Sequence, residues 1–184
     1  MDIRREILDY SDNVKVIEKY LTVKGGDKYS EFLSILKTEG IETTWDNVSG
    51  LYRYDKRLLI NNFKYLSFFE EYCRAWIIRE GRKQYDKIQP LSFGELMHEM
   101  ISFGELEKMF DVIDPDCKLR NVKDLRNWVS HNRIMLKMEF CGYDVAVQSL
   151  HDLLPEDYRE GYVKDLKGCS KNIEVSKFFE FIPS

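Results

Sequence analysis

Apolar residues recur along this chain at intervals of three and four, the period of a helix with one buried side, and almost nowhere at the interval of two that marks a strand. Ile3, Ile7, Leu8, Val14, Ile17 and Leu21 set that rhythm over the first 22 residues, Gly25-Gly26-Asp27 interrupts it, and a second short helix is expected around Tyr29 to Lys37. The stretch GIETTWDNVSG reads as a loop. From Leu51 to about Tyr85 the pattern predicts one long central helix, on which Tyr54, Leu58, Tyr65, Phe69, Tyr72 and Trp76 share a stripe at about 100° per residue. The tetrapeptide SFGE then occurs twice, at 92 to 95 and 102 to 105. Each copy has the S-x-x-E form of a capping box, so the region predicts two short helices or one with a kink. Asp114-Pro115-Asp116 breaks the chain ahead of a helix expected from about Lys118 to Glu139, and Pro155, Gly161 and Gly168 divide the remainder into two or three short helices. The sum is an all-α bundle in a single domain, with its core at about 51–140, an N-terminal helical extension at 1–45 and C-terminal helices at 144–184.

The helix expected at 118–139 carries an unusual concentration of polar chemistry, DLRNWVSHNR at 124 to 133. On a wheel, Val122, Leu125, Val129 and Leu136 fall within about 60° and form the core stripe. Arg126, Ser130, Arg133 and Lys137 flank it. Asn127, His131, Ile134 and Met138 lie opposite, and the two apolar members of that set imply a second buried face, in the bundle or at a subunit interface, with Asn127 and His131 buried alongside. Spaced four apart, the amide and the imidazole would be within reach of each other.

Charge sharpens the interest in this helix. The whole chain has a net charge of −4 and so no general attraction for nucleic acid, which makes any basic patch the feature to find. Residues 118 to 137 supply one: Lys118, Arg120, Lys123, Arg126, Arg133 and Lys137 against the single acid Asp124. A solvated basic face balanced by acids on a neighbouring helix is the plainer explanation. Cys73, Cys117, Cys141 and Cys169 are scattered, with no C-x-x-C pair and no histidine at ligand spacing, and read as reduced core thiols rather than a metal site or a disulfide framework. No signal-like stretch and no long apolar window is present, so a cytoplasmic protein without membrane association is expected. His98 and His151 lack comparable neighbours and read as structural or surface residues.

Arg126, four intervening residues and His131 match the R-x4-6-H signature of the HEPN superfamily (higher eukaryotes and prokaryotes nucleotide-binding domains), and the asparagine directly after the arginine is its commonest form. The wider text resembles the Abi-like, abortive-infection branch: LYRYDKRLL, then Glu70 and Arg74 as E-x3-R, then LSFGELM, then LRNWVSHNR, together covering about residues 51–140. The resemblance implies an up-and-down helical bundle that pairs about a two-fold axis, with two copies of the motif meeting in one cleft. An isologous dimer of that kind would also bring together Arg126 and His131, which project about 140° apart on a single ideal helix.

What the resemblance implies chemically is metal-independent RNA cleavage, in which a ribose 2′-hydroxyl attacks the adjacent phosphate and leaves 2′,3′-cyclic phosphate and 5′-hydroxyl ends. His131 would move the protons, Arg126 would hold the scissile phosphate, and Asn127 would orient one of them. Glu70, Arg74 and Ser130 would support the motif, and Lys123, Arg133 and Lys137 would contact RNA. No cofactor or metal is expected. The expected partners are an RNA substrate, a second copy of the chain and a protein or RNA that restrains a growth-arresting toxin of phage defence. The competing reading is a non-catalytic module of the same family that binds RNA or a protein. Asn132-Arg133 departs from the x-Tyr that follows the histidine in members regulated by nucleotidyl transfer, so that regulation is not expected here.

Overall fold

The computed structural model describes residues 2–138 and 142–184, and among them it is all-α, with no strand. By contacts the chain forms two compact units, one of residues 1–57 with 170–180 and one of residues 58–169 with 181–184.

The first unit contains α1 (Ile3–Glu6), α2 (Tyr10–Lys24), α3 (Gly26–Thr38) and the beginning of α4 (Trp45–Arg79). Gly25 separates α2 from α3 with φ of 82°, a left-handed value that costs a side chain strain and glycine nothing. The periodicity over the first 22 residues is split by this geometry. Ile3, Ile7 and Ile17 are buried, whereas Leu8 and Val14 are exposed. α4 begins at Trp45, so the segment read as a loop is largely helical. Trp45, Val48 and Leu51 lie on its buried side, and the Thr44 hydroxyl accepts from the Asn47 N–H in the manner of an N-cap. Gly50, at the end of the stretch read as a loop, is a contact point, since a Cβ there would lie 3.2 Å from Val175 and 3.4 Å from Ile173 of the returning C-terminal segment.

In the second unit α4 continues to Arg79, short of Tyr85, and is followed by α5 (Tyr85–Ile88), α6 (Phe93–Ser102), α7 (Leu106–Phe110), α8 (Pro115–Ser130), α9 (Tyr143–Leu153) and α10 (Glu156–Cys169). Within the stripe expected on α4, Leu58, Tyr65, Phe69 and Trp76 are buried and Tyr72 is half-buried. Of the two SFGE copies only the first caps a helix: the Ser92 hydroxyl accepts from the Glu95 N–H at 3.3 Å and the Glu95 carboxylate accepts from the Ser92 N–H at 2.7 Å. The second copy ends α6. Gly104 turns the chain at φ of 66°, and Glu105 is drawn into an ion pair with Arg82 at 2.8 Å. Cys73 and Cys169 are buried as expected, but Cys117 is exposed on the first turn of α8, and Cys141 lies outside the described residues.

A buried amide ties three helices of this unit together. Asn62, fully buried on α4, donates to the Leu58 carbonyl at 2.8 Å and to the Tyr143 hydroxyl of α9 at 3.2 Å, and its carbonyl accepts from the Tyr162 hydroxyl of α10 at 2.5 Å. Burial pushes the Tyr162 phenol well above its ordinary range, so it remains a neutral donor. A turn further along α4, the Asp165 carboxylate of α10 accepts from Lys64 at 2.7 Å and from the Tyr65 hydroxyl at 3.0 Å.

Two outcomes are expected. Asn62→Ala strands the buried Tyr162 hydroxyl and opens a small cavity, and should destabilise by about 2–4 kcal/mol in urea unfolding, with Tyr162→Phe costing less. The Lys64 hydrogen bond, then that from Tyr65, holds Asp165 below the usual carboxylate range despite partial burial, so its stabilisation exists above the unfolded pKa and is lost as pH falls through the folded one. The Tm gap between wild type and Asp165→Asn, open at neutral pH, should therefore close below about pH 4.

Candidate functional site

α8 is shaped at both ends by local sequence. At its start Asp114 adopts a left-handed conformation, with φ of 52°, and its carboxylate accepts from the Cys117 N–H at 3.2 Å, while Pro115 occupies a first-turn position that needs no N–H. Leu119, Val122, Leu125, Trp128 and Val129 are buried, packing α8 mainly against α9 and also against α6 and α7. Asn121 donates to the Ser149 hydroxyl of α9 at 3.0 Å, and Lys118 pairs with Asp152 there.

The helix ends at Ser130 rather than near Glu139, and the cause lies in the motif itself. Asn132 turns left-handed, with φ of 51°. The Asn132 N–H donates to the Val129 carbonyl at 3.0 Å, and the Arg133 N–H donates to the Trp128 carbonyl at 3.3 Å. This pair of bonds is a Schellman termination, with His131 at the cap, asparagine in the position glycine usually takes, and Arg133 just beyond. The Arg133 guanidinium lies 4.9 Å from the Trp128 ring centroid, and the Trp128 indole N–H donates to the Ile134 carbonyl at 2.8 Å. Ile134 and Met138 therefore do not extend a helical face, because a turn and the 3-10 segment Met135–Lys137 intervene.

This termination corrects the expected burial. Asn127 and His131 are exposed, as are Lys123, Ser130 and Arg133, and Arg126 is half-exposed. Among the described residues the side chains of Arg126, Asn127 and His131 make no hydrogen bond or ion pair, with one another or with any neighbour. Arg126 rests its guanidinium 5.6 Å from the Phe93 ring centroid of α6, a cation–π contact that steadies the stem and leaves its N–H groups open. The Ser130 hydroxyl donates at 2.6 Å to the Arg126 carbonyl, so it braces the backbone of the last turn and not the Arg126 head group.

The other expected members lie elsewhere. Glu70 and Arg74 form a 2.6 Å ion pair on α4, and Arg74 also donates to the carbonyls of Ile88 and, at 2.7 Å, of Leu91. With only 12% of its side chain exposed, Arg74 is a clamp on the loop between α5 and α6, and among the described residues it makes no hydrogen bond or ion pair with residues 126–137. Lys137 is exposed on the 3-10 segment. Lys123 joins two residues that the sequence did not assign to a site: it lines a cleft of about 310 Å³ between α6 and α8 together with Arg120 and the exposed His98. His151, by contrast, has Nδ1 3.3 Å from the Asp152 carboxylate and is held in place.

The exposed ridge of α8 thus runs from Arg120 through Lys123 and Asn127 to His131, a rise of about 16 Å at 1.5 Å per residue, with cations above and an imidazole at the end. Such a ridge can bind a polyanion. The carbonyl end of a helix disfavours an anion, so a phosphate near His131 depends on Arg126 and Arg133 to offset that field. No family model, no curated protein and no solved structure matches the chain. Among the described residues no helix is long and apolar enough to cross a membrane.

The termination has a measurable signature. Asn132→Gly should leave Tm close to that of wild type, whereas Asn132→Val, forced left-handed at about 1–2 kcal/mol, should lower it by about 2–8 °C.

Proposed function

We propose that the chain is a metal-independent endoribonuclease of HEPN type, working as a homodimer and as a growth-arresting effector in phage defence that a protein or RNA partner restrains. The observation that carries this reading is the solvent-facing set at the end of α8, in which Asn127 and His131 are exposed and, like the N–H groups of Arg126, make no hydrogen bond or ion pair among the described residues.

In the proposed reaction the 2′-oxygen forms a bond to the adjacent phosphorus while the bond from phosphorus to the 5′-oxygen breaks. One His131 accepts the 2′-hydroxyl proton, and the partner's His131 protonates the departing 5′-oxygen. Arg126 binds the non-bridging oxygens and offsets the charge that accumulates on them. Asn127 steadies the imidazole or the phosphate. Lys123, Arg133 and Lys137 hold the flanking backbone without reading its bases.

A second reading has its own support. The Schellman termination gives His131, Asn132 and Arg133 a structural reason to be where they are, which suits a non-catalytic module that uses the ridge only to bind RNA. Chelator-treated protein and single-stranded RNA distinguish the two. Under the enzyme reading His131→Ala lowers the cleavage rate by about 10²–10⁴ and leaves RNA binding intact, whereas Arg126→Ala weakens both. Wild-type protein that binds RNA and never cuts it establishes the module reading instead.

A further inference from the structure

An aromatic cleft of about 300 Å³ lies within the first unit, built from Tyr20 and Lys24 on the last turns of α2, Tyr29 on α3, and Trp45, Tyr52 and Arg53 on the first turns of α4. That volume is at the lower end of the range of about 300–1,000 Å³ typical of small-molecule sites. The ring centroids of Tyr29 and Trp45 are 5.3 Å apart, those of Tyr29 and Tyr52 are 5.1 Å apart in a stacked arrangement, and those of Tyr20 and Trp45 are 6.0 Å apart. Spacings of this order are equally those of ordinary core packing, so the rings by themselves decide nothing.

The polar atoms decide it. Tyr29 is only 2% exposed, yet its hydroxyl makes no hydrogen bond among the described residues and is not sealed from solvent, so it opens at the cleft. The hydroxyls of Tyr20 and Tyr52 and the indole N–H of Trp45 likewise have no partner there. Buried phenols are normally satisfied. Elsewhere in this chain they are: Tyr54 donates to the Phe179 carbonyl, Tyr65 to Asp165 and Tyr162 to Asn62. Burial pushes the Tyr29 phenol up to about 12, with the nearby Tyr52 and Tyr20 phenols adding to the shift, so the three hydroxyls are close neighbours and remain donors at neutral pH.

Cations gather at the same place. The Lys24 ammonium lies 4.4 Å from the Tyr52 ring centroid and 5.7 Å from that of Tyr20. Lys56, outside the cleft lining, is pushed below the usual lysine range by burial and then by the charges of Lys28 and Lys24. Asp46 also lines the cleft, 3.9 Å from Arg53 with its side chain 93% exposed, and the buried Asp55 acts on Lys56. A cage of rings without internal charge would suit a cationic ligand. Here Lys24 already lies over the Tyr52 ring, so the chemistry left to a ligand is stacking on the other rings, hydrogen bonding to phenols, and negative charge.

We infer that this cleft binds a nucleotide, with the base against Tyr20 and Trp45, its polar edge on the Tyr29 and Tyr52 hydroxyls, and its phosphate on Lys24 and Arg53. The same chemistry is offered by a free mononucleotide and by the phosphorylated end of an unpaired RNA strand. None of the cleft residues belongs to the stretch from Arg126 to Lys137, so the inference is independent of the function proposed for α8.

Calorimetric titration of the full chain tests it, with AMP, adenosine, inorganic phosphate, choline and a 5′-phosphorylated tetranucleotide as probes. AMP is expected to bind in the micromolar to submillimolar range, and adenosine and phosphate at least about tenfold more weakly. Lys24→Gln and Tyr20→Ala, both at the exposed rim, are each expected to weaken AMP at least about tenfold while unfolding at the wild-type temperature. Displacement of AMP by the tetranucleotide assigns the ligand to an RNA end, and failure to displace it assigns the ligand to the free nucleotide. The inference is overturned by an absence of AMP binding at about 1 mM, by affinity unchanged in both variants, or by choline or phosphate alone binding as tightly as AMP.

Discussion

The second unit depends on one amide being fully satisfied. Asn62 sits where α9 and α10 meet α4, and each of those helices brings one tyrosine hydroxyl to it. A buried amide without partners is costly and a satisfied one is specific, so this arrangement fixes the rotation of both helices about their own axes in a way that greasy packing does not. The placement of α8 depends on it in turn. Its principal neighbour is α9, and the pairs from Asn121 to Ser149 and from Lys118 to Asp152 set the register between them. The ridge from Arg120 to His131 faces outward because the opposite side of α8 is committed to that register.

The sequence made the fold class plain, because period and composition agree over nearly the whole chain, and the buried stripe of α4 emerges at Leu58, Tyr65, Phe69 and Trp76 as its spacing requires. Ends of helices were harder to read. SFGE caps a helix once and terminates one the next time, and the difference lies in the backbone and in pairing, since Gly104 turns left-handed and Glu105 has Arg82 as its partner. WDNVSG was hidden by a glycine that serves close approach rather than flexibility.

The motif illustrates the same limit at a candidate site. A wheel extended past Ser130 placed Asn127 and His131 on a buried face with Ile134 and Met138, but Asn132 stops the helix one residue after the histidine. Asparagine is the residue other than glycine best suited to that backbone position, and the two main-chain bonds that close the turn are invisible to periodicity. The stop leaves Asn127 and His131 exposed, without a hydrogen bond or ion pair from their side chains among the described residues. Arg74 goes the other way: it resembled a site residue in spacing and is instead spent on the carbonyls of a loop. The aromatic cleft gave no signal of its own, because Tyr20, Tyr29, Trp45 and Tyr52 are scattered over three helices and only the fold gathers them.

The close packing of Gly50 against Ile173 and Val175 ties the first unit to a segment more than a hundred residues downstream. On a ribosome the early helices of this unit emerge first yet lack part of their own interior until Ile173 and Val175 have been made, while most of the second unit is already outside the exit tunnel. The first unit therefore cannot complete its interior until nearly the whole chain has been made, and its early helices stay partly uncovered until then.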